Sequence, residues 1–330
     1  MRNVLVTGGA GFIGSHLVRQ LAARAAAVTV VDNLSNGRAE NLADVLGPRC
    51  RLVVSDVRQL DTVKALLEGV DTVFHLACLG VRHSLHSPME NHEVNATATL
   101  GLLEAARAAG SGRFVHVSSS EVYGTAMAVP MNEDHPTRPA TVYGAAKLAG
   151  ESYARAQYLT HGFSTVVVRP FNAYGPCSHH EGDCGEVIPK FVLRGLADRP
   201  LIIFGDGEQT RDFTYVEDTA QGILAAATSP EAVGRTFNLG SGREITISAL
   251  AGEVGGVLGR EVRVRHEAAR PGDVRRLYAD ASAAAKVLGF APRTLMKDGL
   301  GRLRDWYLGQ GASPEELLEN ELVRNWEPTR

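Results

Sequence analysis

The stretch Val4-Leu5-Val6-Thr7-Gly8-Gly9-Ala10-Gly11-Phe12-Ile13-Gly14 decides how the rest of the chain is read. A β-favouring apolar run passes directly into a glycine cluster, and a 3.6-residue apolar spacing then runs from Ile13 to Arg24. Gly9-x-Gly11-x-x-Gly14 therefore sits at a strand-to-helix junction. Missing β-carbons there permit a tight turn, close approach of backbone to a pyrophosphate, and close packing of helix on strand. The free N–H groups at the start of the helix favour an anion. Gly8, Gly11, Phe12, Ile13 and Gly14 are the expected contacts. A glycine turn alone is a weak signal, but about twenty residues on comes Val30-Val31-Asp32, ending the next apolar run, where a carboxylate can accept both hydroxyls of a ribose. Asp32 favours NAD over NADP.

Outward from this turn the pattern repeats. Short β-rich runs (Val28 to Val31, Leu52 to Val54, Thr72 to His75, Phe114 to Ser118, Thr165 to Arg169) alternate with helical spacing (Thr62 to Glu68, Leu100 to Ala109, Tyr143 to Tyr158). That rhythm predicts an α/β fold of Rossmann type, a doubly wound parallel sheet reached by right-handed crossovers. After Arg169 it breaks into a glycine-, histidine- and acid-rich stretch, Gly175 to Glu186. A smaller, discontinuous α/β substrate-binding domain is expected from there: 1–174 form the dinucleotide domain, 212–240 return to it, and the rest of 175–330 form the second domain.

A chain of 330 residues can bury two cores. Its net charge of −3 gives no basic face for duplex nucleic acid, which needs many phosphate contacts. No 18-residue apolar run or leader pattern is visible, so no membrane span and a cytoplasmic location are expected. Cys50, Cys78, Cys177 and Cys184 form no Cys-x-x-Cys pair and are expected as free thiols.

Tyr143-Gly144-Ala145-Ala146-Lys147 opens a helix, so Tyr143 and Lys147 share one face. Such a pair is ordinarily an exposed surface pair. Behind a dinucleotide cradle it reads as a base and its partner: an ammonium and a nicotinamide cation both favour the phenolate, which can take a hydroxyl proton while hydride leaves the same carbon. Lys147 is also expected on the nicotinamide ribose. Ser118-Ser119-Ser120-Glu121 follows the fifth strand and brings hydroxyls to the same edge.

Gly8 to Gly14, Asp32-Asn33, His75-Leu76-Ala77, Ser119-Ser120-Glu121-Val122-Tyr123-Gly124, Tyr143-x-x-x-Lys147 and Arg169-Pro170-Phe171-Asn172 together resemble the extended short-chain dehydrogenase/reductase family of NAD-dependent nucleotide-sugar epimerases, 4,6-dehydratases and decarboxylases. The resemblance implies that Ser119 bonds the sugar 4-hydroxyl, that Tyr143 is the base, and that Ser120 and Glu121 belong to the catalytic group. It also implies Asn33, Leu76 and Ala77 on the cofactor, Asp56 and Val57 flanking its adenine, and Asn95 near the nicotinamide. Asn172 would contact the diphosphate, Glu186, Val187 and Lys190 would border the uracil side, and Arg211 and Arg270 would bind the diphosphate, a task that suits the planar arginine fork. A homodimer is expected through a four-helix bundle made by Met89 to Ala109 and the helix from Tyr143.

All three reactions share a 4-keto sugar, and C6 decides the branch. Glu121 is common in the decarboxylases and dehydratases; Ser120, where glucose-type dehydratases carry an acid, weakens the dehydratase. Arg82, within Gly80-Val81-Arg82-His83, can meet a sugar carboxylate. UDP-glucuronate decarboxylation is therefore the leading expectation, with 4-epimerisation and 4,6-dehydration as alternatives, and a non-catalytic NAD-binding regulator as the rival class. No metal is expected at His179-His180-Glu181-Gly182-Asp183-Cys184, read instead as a loop over the sugar in which His180 or Glu181 touches substrate. His75 is expected to be a packed core histidine.

Overall fold

The computed structural model describes residues 1–24, 26–270 and 274–326. Seven strands form one sheet: β1 (Asn3–Thr7), β2 (Ala27–Asp32), β3 (Cys50–Val54), β4 (Thr72–His75), β5 (Arg113–Val117), β6 (Thr165–Pro170) and β10 (Thr236–Leu239). Their order is β10-β6-β5-β4-β1-β2-β3, and every pairing is parallel. The doubly wound Rossmann-type α/β class expected from the alternation is the class observed. Strand order reverses between β1 and β4, so the crossovers leave to opposite faces there and open a crevice at the carboxyl edge.

Burial explains why Val4, Leu5 and Val6 of β1 are all apolar. Val4 and Val6 pack on one face with Leu17, Val18 and Leu21 of the helix Phe12–Ala23, while Leu5 packs on the other with Val63, Leu102 and Phe114. A strand covered on both faces has no polar side to alternate. His75 is buried, its ring nitrogens 2.7 Å from Thr7 Oγ1 and 2.8 Å from Thr99 Oγ1. Burial, together with the Lys147 charge, lowers its pKa to about 3, which suits a neutral core histidine.

The remaining strands are short: β7 (Asn172–Tyr174), β8 (Leu201–Phe204), β9 (Thr210–Tyr215), β11 (Glu244–Thr246), β12 (Val264–Glu267) and β13 (Arg276–Leu277). β9 is flanked by β7, β11 and β13, and β8 pairs with β12. The helices Val187–Leu196, Ile247–Leu258 and Met296–Leu308 bury Phe191, Val192, Leu250, Val254, Leu300 and Leu303 in a second core. Between these pieces the helix Val216–Thr228 carries Ala220, Ile223 and Leu224 into the first core, followed by β10. Ala284 and Phe290 enter the first core as well, a further crossing that the spacing did not announce.

The expected helix Met89 to Ala109 is not one regular helix. It runs as Pro88–His92, a wide i→i+5 turn over Glu93–Thr97, and Ala98–Ala108. In that stretch Asn95 Nδ2 donates to Asn91 Oδ1 at 2.9 Å, and both amides reach the backbone of the loop after β4.

Candidate active site

A cleft of about 850 Å³ opens at the carboxyl edge of the sheet, walled on its other side by the second core. Of the site residues named from sequence, all except Asn95, His180 and Glu181 line it.

The glycine turn is shaped for a close-lying ligand. Gly8 adopts φ +71°, and a β-carbon there would lie 2.6 Å from the Ala77 nitrogen. A β-carbon on Gly14 would lie 2.1 Å from the Gly8 carbonyl oxygen. The Asp32 carboxylate is oriented by backbone: Ala10 N–H and Leu34 N–H each donate to it at 2.9 Å. Burial raises its pKa, and those backbone donors oppose the rise. Asn33 Nδ2 donates to Asp56 Oδ2 at 3.0 Å, and hydrogen bonds from Arg58 hold Asp56 down at about 2. This cradle, with Leu76, Ala77 and Val57 beside it, has the donors, the space and the ribose acceptor that a nicotinamide dinucleotide requires.

Asn95 is one exception. It is buried, accepts from Leu79 N–H at 2.9 Å and donates to Leu79 O at 2.9 Å. Its amide fixes the loop that carries Cys78 to Arg82 instead of reaching the cleft, and sequence spacing cannot report that expenditure.

The reactive side chains sit where the helix Val142–His161 starts. Thr141 caps it, accepting from Gly144 N–H at 3.1 Å. A β-carbon on Gly144 would lie 2.6 Å from the Glu121 carbonyl oxygen, so glycine in Tyr-Gly-Ala-Ala-Lys lets helix and loop touch. Ser119 caps the short turn Ser120–Val122, its Oγ accepting from Glu121 N–H at 3.2 Å, while Ser120 is buried. Tyr143 and Ser119 line the same part of the cleft. Its pKa is pushed up, first by burial and then by Cys78, Glu121 and Glu186, with Ser119 opposing. Lys147 Nζ donates to Val117 O at 2.9 Å. In this arrangement the residues around the phenol favour its neutral form, whereas the sequence reading had the lysine making it acidic.

One supporting network escaped the sequence reading. Glu151, one turn beyond Lys147, accepts from Ser118 Oγ at 2.5 Å and from Arg169 at 2.9 and 2.6 Å. Arg169 also donates to the Tyr123 hydroxyl at 2.8 Å, which donates to Asn238 at 2.6 Å. Only a charged pair predicted across helix and strand would have signalled it, and the two lie in different elements.

The second wall carries the other candidates. Asn172 Nδ2 lies 3.5 Å from Asp212 O, and Arg211 Nη1 donates at 2.7 Å to both Thr210 O and Val274 O. Glu186 precedes the helix that begins at Val187, and burial raises its carboxyl to about 7 while Arg82 opposes the rise. Burial lowers Lys190 to about 8, and its Nζ donates to Leu322 O at 2.7 Å. The Arg270 guanidinium lies 5.4 Å from the Phe204 ring centre and 5.3 Å from that of Trp326. Pro271 to Asp273, which follow it in the sequence, lie outside the described residues.

The Gly175 to Glu186 segment spans both walls. Arg38 pairs with Glu181, and His86 Nε2 lies 3.1 Å from Asp183. His179, Asp183 and Cys184 line the cleft, whereas His180 stacks edge-on with Tyr307. Among the described residues no group of three or more His, Cys, Asp or Glu side chains is placed to hold a metal ion. Nor is any described helix long and apolar enough to cross a membrane.

Residues 4–240 match the NAD dependent epimerase/dehydratase family. The chain is 37% identical to a UDP-glucose 4-epimerase of Mycolicibacterium smegmatis, over 92% of this chain and 97% of that one. It is 34% identical to UDP-glucuronic acid decarboxylase 1 of Arabidopsis thaliana, over 91% of this chain and 68% of that one. Among solved structures, a dTDP-glucose 4,6-dehydratase from Streptomyces venezuelae with NAD bound is 36% identical and superposes with a TM-score of 0.87, covering 93% of this chain and 97% of that one. A glycine cradle with an oriented Asp32 shares one cleft with Tyr143, Lys147 and Ser119, and the chain is an NAD-dependent enzyme of the epimerase/dehydratase family, within the extended short-chain dehydrogenases/reductases.

Proposed function

We propose that the chain is a UDP-glucuronate decarboxylase acting through a 4-keto sugar. In this reading residues 1–174, with 212–240, hold the dinucleotide, and the rest of 175–330 hold the nucleotide sugar. The observation that carries it is the presence of Arg82 and Glu121 in the same cleft as Tyr143 and Ser119. NAD⁺, which the glycine cradle and Asp32 would hold, would supply a hydride acceptor for C4 and a positive charge that favours the Tyr143 phenolate. Tyr143 takes the proton of the C4 hydroxyl, and Ser119 holds that oxygen. Lys147, anchored on Val117, fixes the helix face that presents Tyr143. Arg82 holds the C6 carboxylate, which now lies β to a ketone. Loss of CO₂ sends the C5–C6 electron pair into the C4 carbonyl oxygen, where Tyr143 and Ser119 donate hydrogen bonds, and Glu121 manages the proton that returns to C5.

A second reading, 4-epimerisation, is favoured by the 37% identity to the M. smegmatis UDP-glucose 4-epimerase, which the chain covers almost completely. A 4,6-dehydratase is disfavoured by Ser120 standing where an acid is needed. Incubation with UDP-glucuronate, UDP-glucose and UDP-N-acetylglucosamine, followed by product mass, separates the three. Loss of CO₂ is expected. Unchanged mass with an altered sugar replaces decarboxylase by epimerase, loss of water by dehydratase, and no turnover on any of them despite tight NAD binding revives the non-catalytic regulator.

The same reading includes a cytoplasmic homodimer paired through the helices of 88–108 and 142–161, supported by Met89 and Leu159, apolar side chains 71% and 72% exposed on them. Light scattering of the purified chain gives the mass that decides it.

A further inference from the structure

The segment around Glu319 to Trp326 closes the second wall of the cleft, and its fastening is unusually complete. Glu321 forms an ion pair with Arg194 at 2.8 Å, both side chains nearly buried. Leu322 O accepts from Lys190 Nζ, and Asn325 Nδ2 donates to Gly185 O at 2.8 Å and lies 3.3 Å from Asp183 O. This fastening delivers Trp326 to the cleft edge-on to Phe204, with ring centres 4.8 Å apart. Arg270 then lies over both rings.

We propose that Trp326 is a positioning residue for nucleotide-diphosphate recognition: with Phe204 it forms a two-ring seat that holds the Arg270 guanidinium toward the cleft. The inference rests on the nucleotide-sugar reading above and adds to it a residue from a distant part of the chain. An arginine on a flexible stem loses rotamer freedom when it grips a phosphate, and a seat of aromatic faces removes that loss before binding. Neither ring needs to touch the ligand for this effect.

The test is titration of UDP into the NAD⁺-loaded enzyme. Trp326→Ala is expected to weaken UDP binding about tenfold, Trp326→Phe to restore it to within about threefold of wild type, and both to leave NAD⁺ affinity unchanged. In a Trp306→Phe background, where Trp326 is the remaining indole, UDP is expected to change the tryptophan fluorescence, a measurement that does not depend on the alanine variant folding. Trp326→Ala binding UDP as tightly as wild type, or a fluorescence signal indifferent to UDP, overturns the seat while leaving the nucleotide reading intact. Failure of the wild type itself to bind UDP, with NAD⁺ binding retained, overturns the nucleotide reading and the seat with it.

Discussion

The Lys147 ammonium is fastened to the carbonyl of Val117 at 2.9 Å, joining the helix that carries Tyr143 to the carboxyl end of β5. Burial and the acids around Tyr143 push its pKa up, so the phenol is neutral until a positive charge arrives beside it. Tyr143→Phe is expected to lower turnover by about 10²–10⁴ with little change in UDP affinity, because it removes a proton acceptor and not a binding group. Steady-state rates alongside UDP titration check both halves; undiminished turnover would remove Tyr143 from the chemistry.

Gly14→Ala tests the cradle. The added carbon would sit 2.1 Å from a backbone oxygen that cannot swing away, so the turn itself must move. A stability loss of about 1–3 kcal/mol is expected, together with weakened NAD⁺ binding. Thermal melting with and without NAD⁺ reads both: the wild type should gain stability on adding NAD⁺ and the variant should gain much less.

Glu151→Gln tests the buried network beneath the site. Glu151 and Arg169 are both 7% exposed and bonded at 2.6 Å, so neutralising one leaves a buried guanidinium without its counter-charge. The expected loss is about 3–5 kcal/mol in urea denaturation. Replacing both partners with apolar residues, Glu151→Leu with Arg169→Met, should cost less than the single change.

Glu186 gives a pH dependence. Its carboxyl, raised to about 7, is neutral below that pH and ionised above it, beside Arg82. If Arg82 holds a sugar carboxylate, kcat/KM for UDP-glucuronate should fall as pH rises through about 7, when Glu186 competes for the same guanidinium. Glu186→Gln should flatten that fall. Stability has the same sign: between the ordinary glutamate value and about 7 the folded chain retains a proton that the unfolded chain releases, so stability declines as pH rises across this window. Melting temperatures of wild type and Glu186→Gln, measured at pH 5 and pH 8, should diverge toward the higher pH; parallel curves would show that Glu186 titrates normally.

The parallel α/β sheet, the glycine cradle with Asp32, and the helix that opens on Tyr143 and Lys147 were legible in the residues alone. Each is written in spacing along one segment: strand and helix periods differ, a glycine turn must be contiguous, and residues four apart share a helix face. What those side chains touch follows from the packing of distant elements. Asn95 spends its amide on Leu79, Lys147 meets Val117, Glu151 meets Arg169, and Trp326 arrives beside Arg270 from a remote stretch. A side chain's partner across the fold depends on how separate elements pack, and burial shifts a group's acidity only once those elements are in contact, so neither leaves a periodic trace in the chain.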